Sequence, residues 1–154
     1  MPPGLEIAKV HGFLICADTA RVLVQECEGS FNLPGGSPEP ADADLSGTLA
    51  REAFEESQVV VTEAAYLGYQ EVRRRGWAPY AQVRMAGLIT WFGPRCPDAD
   101  SGRLLRRLMC PLADVSAVLG WGEIVEAQAA LAARMTEKLW RIPVGVPEPA
   151  GYVD

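Results

Sequence analysis

The sequence predicts an α/β fold in which helices cover both faces of a mixed β-sheet, an α/β/α sandwich. Two observations predict it. Segments of strand composition fill much of the first two thirds of the chain around one helical segment, and two more helical segments come near the end. Such an order packs helices on both sides of a sheet. A length of 154 residues fits one domain, so we expect residues 1–154 to form a single domain.

The first half begins with a predicted β-hairpin. Apolar β-formers fill Leu5–Ala17 and Ala20–Cys27, and Asp18-Thr19 between them is typical of a turn. A short extended piece at Phe31–Leu33 then leads into a Pro-Gly-Gly turn and a loop that is rich in proline and acidic residues. The next segment, Leu45–Ser57, has no proline and one glycine, so we expect a helix there.

The second half is expected to add strands and then two helices. Strand composition marks four segments: Val59–Thr62, Tyr66–Arg73, Tyr80–Phe92 and Leu104–Cys110. Helical composition follows at Pro111–Leu119, with proline in its first turn, and at Ile124–Trp140. The tail 143–154 holds three prolines and two glycines and is expected to be irregular.

Charge and cysteine usage limit the partners of the chain. The 14 basic and 20 acidic residues give a formal net charge of -6, which disfavours long nucleic acid and anionic membranes. No apolar run reaches membrane-spanning length and no signal-peptide pattern opens the sequence, so a cytoplasmic protein is expected. The four cysteines form no C-x-x-C pair and His11 is the single histidine, which excludes a zinc set of the usual spacing.

The segment Arg51–Glu56 carries the candidate chemistry. On a helix, Glu52, Glu55 and Glu56 fall within an arc of roughly 100°. The opposite side is expected to anchor the helix in the core through Leu49, Ala50, Ala53 and Phe54. Clustered carboxylates repel one another, and a hard divalent cation would offset that repulsion. Alone, the cluster is more typical of a solvated surface, and it is the extended piece and Pro-Gly-Gly turn before it that favour a metal site.

Residues 36–59 resemble the Nudix box, G-x5-E-x7-R-E-U-x-E-E-x-G-U, where U is a bulky aliphatic residue. The matching positions are Gly36, Arg51, Glu52, Glu55, Glu56 and Val59. The resemblance implies a Nudix-type fold and hydrolysis of a pyrophosphate bond with Mg²⁺, or alternatively Mn²⁺. The implied substrate is small, phosphorylated and nucleotide-derived: a nucleoside diphosphate linked to another moiety, as in nucleoside triphosphates, nucleotide sugars and dinucleotides. A homodimer is compatible with the resemblance.

The resemblance also implies roles for the matching residues. Glu52, Glu55 and Glu56 would bind the metal and act in catalysis, with Glu52 helping to deprotonate the attacking water. Arg51 would pair with a carboxylate of the box and hold the helix against the loop.

The sequence departs from the box at four points. Counting forward from Gly36, the acidic position is Asp42 rather than Glu, whereas counting backward from Arg51 it is Ala43, so the loop is one residue longer. Ala53 is small where a bulky aliphatic is usual. Gln58 replaces a glycine that commonly caps the helix, a loss expected to cost on the order of 1 kcal/mol. The arginine and the three glutamates of the box are all retained, as Arg51, Glu52, Glu55 and Glu56.

Four residues are candidates for substrate binding. Gly36 would let backbone approach a ligand closely. Arg73 opens a run of three arginines that could hold phosphates, with a solvated basic turn as the alternative. Gln82 and Arg84 share one face of their strand by alternation and contact substrate if that face lines the cleft.

The remaining polar and aromatic residues are expected to be structural. His11 is expected to be a core or edge histidine of its strand rather than a ligand. A core position is expected for six aromatic residues: Tyr66, Tyr69, Tyr80, Trp91, Trp121 and Trp140. Three arginines around Leu104-Leu105 are expected to be surface charges: Arg103, Arg106 and Arg107.

Two other functions compete with hydrolysis. The first is a non-catalytic Nudix domain that binds a nucleotide-like metabolite as a sensor or partner module; the retained glutamates count against it. The second is an isomerase of prenyl diphosphates on the same scaffold, which the scattered cysteines disfavour.

Overall fold

A mixed β-sheet with helices on both faces makes up the part of the chain described by the computed structural model, residues 4–99, 101–145 and 149–154. The elements are β1 Glu6–Cys16, β2 Val22–Cys27, β3 Ser30–Asn32, β4 Gly35–Gly36, α1 Leu45–Ser57, β5 Val59–Val72, β6 Tyr80–Phe92, β7 Arg106–Cys110, α2 Val115–Leu119, α3 Glu123–Trp140 and β8 Gly151–Val153. None of the described helices is long and apolar enough to cross a membrane.

The strands are ordered β5-β6-β1-β2-β7-β8 across the sheet. Strands β1 and β6 run parallel, and their register sets His11 beside Arg84. The other described pairs are antiparallel, including the short strand β4, which pairs with β1 so that His11 lies beside Gly35. The central strand β1 therefore connects the Pro-Gly-Gly turn to the polar middle of β6.

Alternation along β1 divides the core between the two faces of the sheet. Phe13 and Ile15 belong to a cluster that is covered by α2 and α3. Leu14 and Cys16 point the other way, into a cluster that is covered by α1. The structure thus confirms the predicted α/β/α sandwich with its mixed sheet.

Helix α1 and strand β6 begin and end where the sequence predicts, whereas β5 and α2 differ clearly from the prediction. The predicted strands Val59–Thr62 and Tyr66–Arg73 are one strand, β5, because the long β6 pairs with it throughout and register irregularities absorb the residues between them. The predicted helix at Pro111–Leu119 begins only at Val115, since Pro111 instead forms a turn in which its carbonyl accepts from the Asp114 backbone N–H.

The expectation of an irregular tail is wrong for residues 151–153. They form β8, which pairs with the otherwise open edge of β7. The ring of Tyr152 lies 3.6 Å from the guanidinium of Arg106, which anchors the added strand. Positions 146–148 of the predicted tail lie outside the described residues.

Several side chains are placed differently from the sequence expectation. Tyr66, on the edge strand β5, and Trp91, near the end of β6, are about half exposed rather than core. Tyr69 and Trp140 do pack against the core clusters. Arg107 is fully buried instead of lying on the surface, because its guanidinium donates to the backbone carbonyls of Ser57 and Gly93.

Candidate active site

Helix α1 holds its carboxylates in place by burying its opposite side. Asp44 caps the helix, accepting a hydrogen bond from the Gly47 backbone N–H at 2.9 Å. Leu49 and Ala53 are fully buried against the sheet, whereas Phe54, expected in the core, is about half exposed. The helix is therefore anchored along a narrow apolar stripe, and its acidic side faces the loop and the Pro-Gly-Gly turn.

Glu56 is the most firmly positioned of the three glutamates. Its Oε2 accepts from the Gly35 backbone N–H at 2.9 Å and from Gln25 Nε2 at 2.8 Å. Burial raises the pKa of this carboxyl, and the negative charge of Glu52 adds to the rise, while the two hydrogen bonds oppose it. The result is a fixed carboxylate, low in solvation, beside a second carboxylate.

Glu52 lies directly against Gly36. A Cβ placed on Gly36 would overlap all three atoms of the Glu52 carboxyl group, so any side chain at this position would displace that carboxylate. Burial also raises the pKa of Glu52, with Arg51 opposing the shift and Glu55 adding to it. The turn and the helix thus fit together because the Glu52 carboxylate occupies the space that a side chain at position 36 would take.

Arg51 ties the loop to the helix. Its Nε and Nη2 donate to the two carboxylate oxygens of Asp42 at 2.9 and 3.2 Å, and its Nη1 donates to Glu55 at 2.9 Å. Its Nη2 also donates to the Ser37 carbonyl at 2.9 Å and lies 3.2 Å from Glu52 Oε1. The hydrogen bond from Arg51 holds the pKa of Asp42 well below its usual range, and a backbone N–H of the loop adds to the effect.

These contacts distinguish the two residues that the forward and backward counts place at the acidic position of the box. Asp42 pairs with Arg51, as expected from the forward count from Gly36, and Ala43 follows it without a polar side chain. The extra loop residue is therefore accommodated between Asp42 and the helix cap at Asp44. Because Asp42 is committed to Arg51, it serves to orient the helix.

The donors on α1 fit a hard divalent cation by their chemistry. In the described ranges, no group of three or more acidic, histidine or cysteine side chains is gathered closely enough to chelate a metal. The reason is local, because Arg51 draws Glu55 and Glu52 toward itself while Glu56 is held at Gly35. Glu52 and Glu56 nevertheless present carboxylate oxygens that repel each other and are incompletely solvated, and such oxygens favour Mg²⁺ or Mn²⁺.

Gln58 ends the helix in the place where the box has glycine. It adopts the left-handed conformation, with φ of 49°, and its backbone N–H donates to the Phe54 carbonyl at 2.9 Å. Its side chain donates to the Glu55 carbonyl and accepts from the Cys96 backbone N–H, both at 2.9 Å. These two bonds offset the conformational cost that the sequence predicts at this position.

A cavity of about 370 Å³ lies on the opposite face of the sheet, beside the start of α3. Its lining is mostly polar and comes from the strands and from the region that leads into α3: His11, Asn32, Gln70, Gln82, Arg84, Trp121, Ile124, Val125 and Gln128. The paired strands β1, β6 and β5 bring His11, Arg84, Gln82 and Gln70 to one face by alternation. Its volume is within the range of small-molecule sites.

The candidate substrate-binding residues are not all brought together. Gln82 and Arg84 both line the cavity. Gly36 instead lies at the Glu52 carboxylate. Arg73 lies beyond the end of β5, is largely exposed, and pairs with Glu71 at 2.7 Å, so it is not part of the cavity lining.

Two residues that the sequence predicts to be structural, His11 and Trp121, line the cavity. His11 is buried as expected, but its ring lines the cavity, and burial together with the charge of Arg84 lowers its pKa to about 4. Trp121 is 39% exposed instead of core; it lies in the turn before α3 and covers the Arg84 guanidinium at 5.7 Å. A tryptophan in the connection between two helices, rather than within one of them, is the sequence signal that could have indicated an open site.

The two-residue strand β4 contacts residues of both groups. Gly35 is paired with His11 of the cavity lining and donates its N–H to Glu56.

The fold is similar to several solved structures. A Nudix hydrolase from Nitrosomonas europaea matches with a TM-score of 0.61 at 17% identity, covering 82% of this chain and 87% of that chain. The MutT protein from Bacillus halodurans matches with a TM-score of 0.58 at 15% identity, covering 80% of each chain. The Nudix domain of NrtR from Shewanella oneidensis, solved with ADP ribose, matches with a TM-score of 0.55 at 21% identity, covering 76% of this chain and 82% of that chain.

No family model and no curated protein matches the sequence. The similarity is therefore one of three-dimensional structure, and at identities of 15% to 21% it shows the fold alone. The glutamate helix α1 belongs to the segment that resembles the Nudix box. The chain has the Nudix fold.

Proposed function

We propose that this chain is a Nudix hydrolase that cleaves a pyrophosphate bond in a nucleotide-derived substrate, and that residues 1–154 act as one domain. The observation that carries the proposal is the pair Glu52 and Glu56, two partly desolvated carboxylates set against the Gly35–Gly36 turn. Two partly desolvated carboxylates side by side cost stability, and a bound cation that carries phosphate would offset that cost.

The residues of α1 have separate roles in this proposal. Glu52, Glu55 and Glu56 would hold magnesium or manganese, which would supply neutralisation of phosphate charge and activation of water. Glu52, with its raised pKa and its position beside the bare backbone of Gly36, would serve as the proton acceptor. Glu56 is oriented by the Gly35 N–H and Gln25, and Arg51 holds the helix at a fixed distance from the loop.

The cavity supports a nucleotide-derived substrate. Four amide side chains offer both donors and acceptors to a heterocycle or sugar: Asn32, Gln70, Gln82 and Gln128. Trp121 offers a half-exposed ring for stacking. ADP ribose, with which the NrtR Nudix domain was solved, is a ligand of this class and supports the assignment.

Replacing Glu56 by Gln tests the proposal. Hydrolysis of nucleoside triphosphates, nucleotide sugars and dinucleotides is measured as phosphate or pyrophosphate release with Mg²⁺ and with chelator. We expect wild-type turnover only with metal, and at least a roughly 100-fold loss in Glu56→Gln at an unchanged melting temperature. Glu137→Gln, an exposed acid on α3, serves as the matched control. Equal turnover in Glu56→Gln and wild type would contradict the assignment.

A non-catalytic binding domain is the second candidate. The observation in its favour is that Arg51 engages both Glu55 and Glu52, leaving no convergent group of three acids in the described ranges. The same panel separates the two functions. Binding of a panel member without any metal-dependent turnover would favour the binding domain.

A further inference from the structure

Arg84 is a buried cation with weak local compensation. The residue is 3% exposed and lines the cavity from strand β6. Its Nη1 lies 3.2 Å from His11 Nδ1 and 3.4 Å from the Val83 carbonyl, and its Nη2 donates to Gln82 Oε1 at 3.3 Å. All three distances are at or beyond the long end of the normal range, and Nε has no hydrogen-bond partner among the described groups.

The groups that contact Arg84 do not neutralise its charge. No carboxylate forms an ion pair with it within the described ranges, although other arginines of the chain have acidic partners. His11 is neutral at physiological pH because its pKa is about 4, and the Trp121 ring offers only a cation–π contact at 5.7 Å. Burial lowers the pKa of Arg84 to about 10, so the guanidinium stays charged at neutral pH.

A buried charge without a counter-charge is costly, and proteins retain one where a ligand supplies the missing partner. A neutral acceptor could satisfy Nε but would leave the charge uncompensated, so an anion suits the site better. A guanidinium binds phosphate and carboxylate through paired oxygens. The cavity of about 370 Å³ is far larger than either group alone, so the anion would arrive as part of a larger molecule.

We propose that Arg84 is a specificity-determining residue that selects substrates carrying a second oxyanion, a phosphate or a carboxylate, on the moiety held in the cavity. This oxyanion is distinct from the diphosphate that meets the glutamates of α1. The inference rests on the proposed function for the identity of the cleaved end. The Trp121 ring lies 5.7 Å from the guanidinium, and Gln82 accepts a hydrogen bond from its Nη2, so two residues of the cavity lining position Arg84.

Matched ligand pairs test the assignment by binding rather than turnover. Calorimetry in the presence of chelator compares ADP with adenosine 3′-phosphate 5′-diphosphate, and UDP-glucose with UDP-glucuronate. We expect wild type to bind the oxyanion-bearing member of at least one pair about 10- to 100-fold more tightly. The first pair reports a phosphate and the second a carboxylate, so the pair that responds identifies the anion.

Variants assign the selectivity to the residue. Arg84→Gln is expected to reduce the affinity ratio to about one, Arg84→Lys to retain part of it, and the exposed Arg73→Gln to leave it unchanged. Because Arg84→Gln removes a buried charge, its melting temperature is expected to equal or exceed that of wild type, which establishes folding independently.

Two outcomes would overturn the assignment: no preference in wild type for either oxyanion-bearing ligand, or a preference that persists in Arg84→Gln. The hydrolase proposal is tested separately by the Glu56→Gln experiment. Selective binding that depends on Arg84 in a chain without turnover would therefore support this inference and remove the proposed hydrolysis.

Discussion

Alanine at Gly36 is expected to lower kcat roughly 100-fold in a folded chain, whereas alanine at Gly35 is expected to destabilise the fold. The two glycines are neighbours in β4, yet their surroundings differ. A Cβ on Gly36 would meet only the Glu52 carboxyl group, the far end of a flexible side chain. A Cβ on Gly35 would lie 2.7 Å from His11 Cα and closer still to the Val10 carbonyl oxygen, and both of these are backbone.

The magnitudes follow from what can move. Glu52 can rotate away from alanine at position 36, so the loss in free energy of unfolding is expected to stay below about 1 kcal/mol. The same rotation displaces the carboxylate by about 1 Å or more, which is expected to lower kcat roughly 100-fold. Gly35 has φ of 146°, which L-residues rarely adopt, and a backbone clash adds to that strain. Together, the strain and the clash are expected to lower the free energy of unfolding by about 3 kcal/mol, which corresponds to a fall of about 6–12 °C in Tm for a chain of this size.

The assay combines thermal unfolding by circular dichroism with metal-dependent pyrophosphate hydrolysis on each variant. Gly29→Ala is a useful control, because a Cβ there meets nothing within 4 Å although its φ is positive, so it reports backbone strain alone. Two results would refute the reasoning that the missing side chain of Gly36 makes room for the Glu52 carboxylate. One is a wild-type kcat in Gly36→Ala, and the other is an equal loss of Tm in Gly35→Ala and Gly36→Ala.

Two further predictions concern charge. Asp42→Asn is expected to lower kcat roughly 10-fold with little change in KM, because it weakens the ion pair by which Arg51 holds the loop. Steady-state kinetics would show this, with the exposed Asp18→Asn as control, and an unchanged kcat would contradict it. His11 has a folded-state pKa of about 4, below its ordinary value of 6.5, so the fold favours the neutral ring. Its contribution to the free energy of unfolding is complete above pH 6.5 and is lost as the pH falls from 6.5 to about 4, by at most about 3 kcal/mol. Urea unfolding at about pH 7.5 and 4.5 should show a smaller loss of stability at the lower pH in His11→Gln than in wild type. Identical losses in the two proteins would oppose the prediction.

Local chemistry made α1 predictable. The run Leu45–Ser57 follows the capping residue Asp44 and lacks proline, and both ends of the helix lie at the predicted residues. The same holds for β6, which is bounded by turn residues. By contrast, β5 could not be recognised as one strand, because its continuity comes from pairing with β6 and not from its own composition.

The cavity could be predicted only in part. Alternation places Gln82 and Arg84 on one face, and that pattern is local. The approach of His11 to Arg84 depends on the parallel register of β1 and β6, which are 73 positions apart at this contact and which no pattern in the sequence aligns. Trp121 could not be placed because large aromatics are usually core, and its position is set by how α2 and α3 meet.

Gln58 bears on how this chain could be stabilised by design. Substitution toward a family consensus is a common route to stability, and the consensus residue at this position of the box is glycine. Glycine would relieve about 1 kcal/mol of left-handed strain but would remove two side-chain hydrogen bonds and enlarge the freedom of the unfolded chain. Those terms are of similar size and opposite sign, so consensus design gains nothing here, and it would remove the side-chain hydrogen bond that ties Cys96 to the end of α1. At this position the motif that the segment resembles is therefore a poor guide to the stability of the chain.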